Sequence, residues 1–166
     1  ITLGTDEVEI INQRVNRQLK GLTWDDMDQD GVQDAGEPPI SGIKVTLYDE
    51  HGQVVKDVNG VDCVTTTDAD GKYSFDNLPA GEIKVVFTDE NDNPISEYRL
   101  TESNVGNTSE DDKVDSDAEA DPSGKATITG IHMPEDEAII DSPFIVEYQD
   151  AGFYQAGDLE IAKVAE

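Results

Sequence analysis

The sequence predicts an all-β fold, a sandwich of short antiparallel-type strands. Apolar and polar residues alternate in runs of three to six, and clusters of Gly, Pro, Asp and Asn separate those runs at fairly even intervals. Hydrophobic residues are only 36% of the 166, but they are concentrated in the alternating runs, so a core can still close. The organisation expected is an arm or linker over 1–19, a sandwich over 20–156, and a linker or first strand of a following module over 157–166.

The arm reads differently from the rest. Val8, Ile11, Val15, Leu19 and Leu22 recur every three or four residues, the period of an amphipathic helix. Thr5 would cap it, Asp6 and Glu7 would occupy its first turn, and Gly21 would stop it. An extended lead-in strand suits the same residues. From Gly21 onward the period is two. Ile43, Val45 and Leu47 alternate with Lys44, Thr46 and Tyr48, and the turn Glu50-His51-Gly52 leads into Gln53–Lys56. Residues 63–67 are mostly β-branched and run into Asp68-Ala69-Asp70-Gly71. Tyr73 and Phe75, then Ile83, Val85 and Phe87, mark two strands on either side of Leu78-Pro79-Ala80-Gly81. Tyr98 and Leu100, Ala126 and Ile128, Phe144 with Val146 and Tyr148, and Phe153-Tyr154 complete the set. Trp24, the single tryptophan, is expected in the core.

The charge excludes whole classes of function. There are 38 Asp+Glu against 11 Lys+Arg, a formal net charge of −27. Such a surface repels nucleic-acid phosphates and anionic membrane alike, and no apolar run is long enough for membrane insertion. One cysteine, Cys63, excludes an internal disulfide framework and a Cys-based zinc site. A chain opening at Ile1 rather than Met is expected to be an excerpt or a mature fragment. Divalent cations would offset the carboxylate repulsion.

One segment says where they would bind. Asp26-Met27-Asp28-Gln29-Asp30-Gly31-Val32-Gln33-Asp34-Ala35-Gly36-Glu37 fits the twelve-residue calcium loop D-x-[DN]-x-[DN]-G-x5-E at every specified position. Ca²⁺ takes six to eight hard oxygens. Asp26, Asp28 and Asp30 supply carboxylates at alternate positions, Gly31 allows the reversal, and Val32 offers its carbonyl. Asp34 binds through water and Glu37 closes the shell. Pro38 and Pro39 forbid a following helix, so the ion would brace strands rather than move helices. Asp68-Ala69-Asp70-Gly71 repeats only the start of the pattern, and a plain hairpin turn explains it equally well. Asp115-Ser116-Asp117 is a weak signal alone, although two such pairs could share a second ion.

Together these segments resemble a known family. Gly21–Asp26 with the loop, Pro39–Leu47, Thr67–Phe75, Leu78–Gly81, Asn104-Val105-Gly106, Val114–Asp117 and Asp150–Tyr154 are similar, in order, to the B-type repeat of serine–aspartate repeat surface proteins. The resemblance implies a prealbumin-like (Ig-like) sandwich related to collagen-adhesin B-type domains, strung in tandem on Gram-positive cell surfaces and stiffened by several Ca²⁺ ions. By position, Asp26, Asp28, Asp30, Val32, Asp34 and Glu37 match the family's first calcium site. Asp68, Asp70, Asp115, Asp117 and Asp150 match positions where it keeps acids, and are candidate ligands of further ions. The arm 1–20 and the longer segment 135–149 depart from the pattern. Some collagen-adhesin relatives carry a Lys–Asn or Lys–Asp crosslink assisted by a buried acid. Glu102 is similar to that acid, with Lys20 or Lys44 as donors, but the terminal strand offers no Asn.

The function expected is a non-catalytic, calcium-stabilised spacer module of a secreted, wall-attached bacterial surface adhesin, with neighbouring modules of the same chain as partners. The alternative is a calcium-dependent module that binds an extracellular protein or glycan. Against an enzyme, Cys63 with His51 or His132 sits in no recognisable motif and reads as a half-buried thiol. Acids carried in turns form no cleft for glycoside hydrolysis.

Overall fold

The computed structural model describes residues 16–105, 114–135 and 144–155. They form ten strands: β1 (Arg17–Asp25), β2 (Lys44–Tyr48), β3 (Val64–Thr66), β4 (Lys72–Phe75), β5 (Gly81–Thr88), β6 (Tyr98–Leu100), β7 (Glu119–Ala120), β8 (Ala126–Met133), β9 (Phe144–Val146) and β10 (Ala151–Gln155). One sheet has the order β4-β1-β10-β6, with β9 also paired to β1, and the other has β3-β2-β5-β8-β7. The fold is therefore the all-β sandwich that the alternation predicts. Among the described residues no helix is long and apolar enough to cross a membrane.

Inward-facing residues of both sheets make one core. Leu19, Val45, Leu47, Leu78, Val85, Phe87 and Met133 are wholly buried, each worth about 1.5–3 kcal/mol relative to exposure. Tyr73 links the sheets edge-on, with ring centroids 6.0 Å from Phe75 and 5.6 Å from Phe87. Cys63 is more deeply buried than expected, at 5% exposure.

The expected helix fails where it can be checked. Residues 17–20 begin β1, and residues 1–15 lie outside the described residues. Leu19 pairs with Phe75 of β4 and Val146 of β9, and such non-local pairing outweighs a local period. Leu19 and Leu22 are three apart, an odd number, so a strand sends them to opposite faces: Leu19 is in the core and Leu22 is half-buried. The region 157–166 also lies outside the described residues.

Two further features position the site. β1 and β10 are parallel neighbours, with Thr23, Trp24 and Asp25 opposite Ala151, Gly152 and Phe153. Arg17 and Gln155 therefore lie at opposite ends of the sandwich, roughly 30 Å apart along the strands. Five turns share one aspartate-headed pattern, at Asp49, Asp57, Asp68, Asp89 and Asp121. In each, Oδ1 accepts from the amides two and four residues on. The head residue's own amide donates to the carbonyl four residues on. These carboxylates replace missing backbone partners in the turn.

Candidate metal centre

The loop 26–37 grows out of β1. Its two feet are tied by Asp25 N–H to the Pro38 carbonyl at 2.8 Å and by Ile40 N–H to the Thr23 carbonyl at 3.0 Å. Its far side is held against residues 114–116: Gln33 N–H donates to Val114 O at 2.6 Å and Ser116 N–H to Gly31 O at 3.1 Å. Gly31 has φ +81°, and a Cβ there would lie 2.6 Å from the Glu102 carbonyl oxygen. Only glycine suits both demands.

Within that frame the carboxylates converge. Oxygens of Asp26, Asp28 and Asp30 lie within 4.8 Å of one another, as do those of Asp28, Asp34 and Glu37. Two ligands each 2.3–2.6 Å from one Ca²⁺ can be at most about 5 Å apart, so this spacing is what one coordination sphere allows. The donors are all hard oxygens, which fits a hard divalent cation and not a soft one. Glu37 folds back over the loop, accepting from Met27 N–H at 2.7 Å through Oε2 and from Asp34 N–H at 2.7 Å through Oε1.

The electrostatics match the crowding. Asp28 shares a hydrogen bond with Asp26 that pushes its pKa up to about 7, with desolvation and the neighbouring Asp34 and Asp30 adding to the rise. Burial works to raise the pKa of Asp26, but hydrogen bonds from Thr101, Gly31, Asp28 and Asp30 outweigh it and hold the group below its ordinary value. Asp26 is wholly buried and Asp28, Asp30 and Asp34 are exposed, so one fixed anion sits beneath a solvent-facing cup of acids.

Two residues outside the loop complete the site. Thr101 Oγ1 donates to Asp26 Oδ2 at 2.5 Å, across 75 residues of sequence. Trp24 is wholly buried but lies outside the inter-sheet cluster. Its ring packs over Gly152, where an added Cβ would meet the indole at 2.6 Å and the Thr101 methyl at 2.7 Å. The tryptophan is thus fully buried, as expected, but packs against Gly152 and Thr101 rather than within the inter-sheet cluster. Nothing local in the sequence marks Thr101, because its partner is brought in by the β1–β10–β6 pairing.

The other candidate acids lie outside the two carboxylate groups of the loop. Asp68 heads a turn and its Oδ1 accepts from Asp70 and Lys72 amides. Both it and Asp70 are exposed. Asp115 is buried and bridges Val32 of the loop, whereas Asp117 engages Asp150. The pair Asp115 and Asp117 is therefore split between two surroundings. Asp150, also buried, takes Leu22 N–H on Oδ1 at 3.0 Å. An open groove of about 630 Å³ runs past Lys20, Lys72, Tyr148, Asp68 and Asp150, away from the loop. Glu102 is exposed and Lys44 pairs with Asp92 at 2.7 Å, so neither has the buried setting that a crosslink needs.

With this geometry in hand, comparison with known proteins is specific. The model of the SdrD B-like domain matches residues 18–144. The chain belongs to that family. This B-like domain is 39% identical over 126 residues to serine-aspartate repeat-containing protein D of Staphylococcus aureus strain Newman, covering 76% of the chain and 8% of that protein. It is 40% identical over 126 residues to protein E of S. aureus strain USA300, covering 76% of the chain and 9% of that protein. Against protein F of Staphylococcus epidermidis the figures are 42% over 96 residues, 58% and 5%. The B-like domain thus spans less than a tenth of each relative. Among solved structures it is similar to BcpA, the major pilin subunit of Bacillus cereus, with TM-score 0.45, 13% identity, and coverage of 86% of this chain and 31% of that one.

Proposed function

We propose that this domain is a non-catalytic spacer module of a bacterial cell-surface adhesin, held rigid by Ca²⁺ in the loop 26–37. The observation that carries the reading is the gathering of the loop carboxylates into two trios that share Asp28, one with Asp26 and Asp30 and the other with Asp34 and Glu37. With a net charge of −27, a cation there would relieve repulsion and brace the loop beside β1 and β10. The chain spans less than a tenth of the serine-aspartate repeat-containing relatives, which supports neighbouring modules of the same chain as partners, and membership of their family supports an extracellular, wall-attached location. Arg17 and Gln155, at opposite ends of the sandwich, suit modules set end to end. Extracellular sites of this kind have Kd values of about 10⁻⁴–10⁻³ M, so calcium at about millimolar concentration would keep the site filled for half the time or more as a structural part.

Calorimetric titration of calcium with a count of bound ions tests this directly, paired with solution scattering on two tandem modules. At least one ion per module is expected, with the tandem shortening and flexing in chelator. A domain that takes up no ion would overturn the calcium reading. Saturable binding of a glycan or matrix protein by the isolated domain would replace the spacer role with a binding one.

A further inference from the structure

We infer that Thr101 is a positioning residue that fixes which oxygen of Asp26 faces the ion, an inference that rests on the calcium reading above. The two oxygens of Asp26 are treated differently. Oδ2 accepts from Gly31 N–H at 2.7 Å and from Thr101 Oγ1 at 2.5 Å. Oδ1 accepts from Asp30 N–H at 3.3 Å, a longer and weaker contact. Oδ2 thus carries the two short bonds from neutral donors and Oδ1 only the long one, while the bond Asp26 shares with Asp28 needs a proton that a bound cation would displace, so Asp26 would ligate through Oδ1.

Thr101 can set this choice because it is itself fixed. It is 5% exposed, its N–H donates to the Gly152 carbonyl at 3.0 Å, and its methyl lies against the Trp24 ring over Gly152. Its hydroxyl therefore points at Oδ2 from a packed strand end, while Asp26 N–H is held by Phe153 O at 2.6 Å. Asp26 is gripped by the loop, β6 and β10 together. The ion's first ligand is oriented by the sheet, not only by the twelve-residue loop. Without the hydroxyl the carboxylate is free to turn, and part of the binding energy is spent fixing it again.

The test compares calcium titrations of the wild type, Thr101→Val, Thr101→Ala and Thr101→Ser, each checked for a folded state by near-ultraviolet circular dichroism in chelator. Loss of a hydrogen bond to a charged group predicts affinity about tenfold weaker in the two hydroxyl-free variants. The Ser variant should stay within about twofold of wild type, a rescue that a purely packing role for Thr101 would not give. Should Val not fold, Ala carries the comparison. Wild-type affinity in a folded Ala or Val variant would overturn the inference and leave the calcium reading intact, as would a Ser variant as weak as Ala. If neither hydroxyl-free variant folds even in calcium, Thr101 is a folding residue and the inference is overturned. A wild-type domain that binds no calcium would sink both.

Discussion

Asp150 and Asp117 hold each other by a reciprocal pair of bonds: the amide of Asp150 donates to the Asp117 carboxylate Oδ2 at 2.9 Å, and the amide of Asp117 donates to the Asp150 carbonyl at 2.7 Å. With Asp150 Oδ1 taking Leu22 N–H, the two acids stitch residues 114–120 to β1 and to the start of β10. Replacing Asp117 with Ala leaves the Asp150 amide short of an acceptor. A loss of about 1–2 kcal/mol in urea denaturation is expected, of the same size in calcium and in chelator. A loss that vanishes in chelator would show that Asp117 acts through an ion instead.

Chelation should lower the melting temperature strongly. An ion that binds only the folded state contributes about 1.4 kcal/mol per site at ten times its Kd and about 2.7 kcal/mol at a hundred times. The double variant Asp28→Ala, Glu37→Ala should reproduce most of that loss, while His51→Ala and His132→Ala should melt as wild type. Scanning calorimetry with and without chelator decides the matter, and an unchanged melting curve in chelator contradicts it.

The turn aspartates should behave in the opposite way. Asp57→Ala, Asp68→Ala and Asp89→Ala each remove two acceptor contacts and should cost about 1 kcal/mol, equally with and without calcium. Combined, they should add, since separate turns share no partners. An Asp68→Ala loss that appears only with calcium would show that Asp68 is an ion ligand.

Gly31→Ala and Gly152→Ala strain different sides of the same site. At Gly31 the alanine must adopt φ +81° and approach Glu102 O, costing about 2 kcal/mol. At Gly152 the methyl collides with Trp24 and Thr101, and overpacking of this kind costs about 1–3 kcal/mol. Both should weaken calcium uptake. Gly36→Ala, at a positive φ but with open space around it, should cost less and leave uptake near wild type.

Cys63 should be inert. Burial first, then Asp57 and Asp62, push its thiol from 9.0 up to about 11. The fold therefore favours the neutral thiol, a contribution complete below pH 9 and lost as the pH climbs through 11. Iodoacetamide at pH 8 should label it only after unfolding. Rapid labelling of the folded domain would show that Cys63 is open to solvent.

Much of the fold was legible because strands advertise themselves locally. Val45 and Leu47, Tyr73 and Phe75, and Ile83, Val85 and Phe87 all point inward as their alternation says. The loop was legible because all six of its candidate ligand positions lie within twelve residues. What stayed hidden depended on distant pairing: the strand identity of Arg17–Lys20, the packing of Trp24 on Gly152, and the reach of Thr101 to Asp26. The aspartate-headed turns were a different kind of miss. The spacing Asp-x-x-Gly recurs at 49, 57, 68 and 121, and Asp92, at φ 66°, takes the glycine's place in the fifth. Only the hydrogen bonds show that one geometry unites them.

The parallel pairing of β1 with β10 also decides how the domain would meet a pull. Tension applied between Arg17 and Gln155 runs along both strands in opposite senses, so the bonds joining Thr23–Asp25 to Ala151–Phe153 are sheared together rather than peeled one after another. The Asp26 amide bonded to the Phe153 carbonyl lies in the same shear plane. The loop is thereby fastened to the seam that must slip before the sandwich can open.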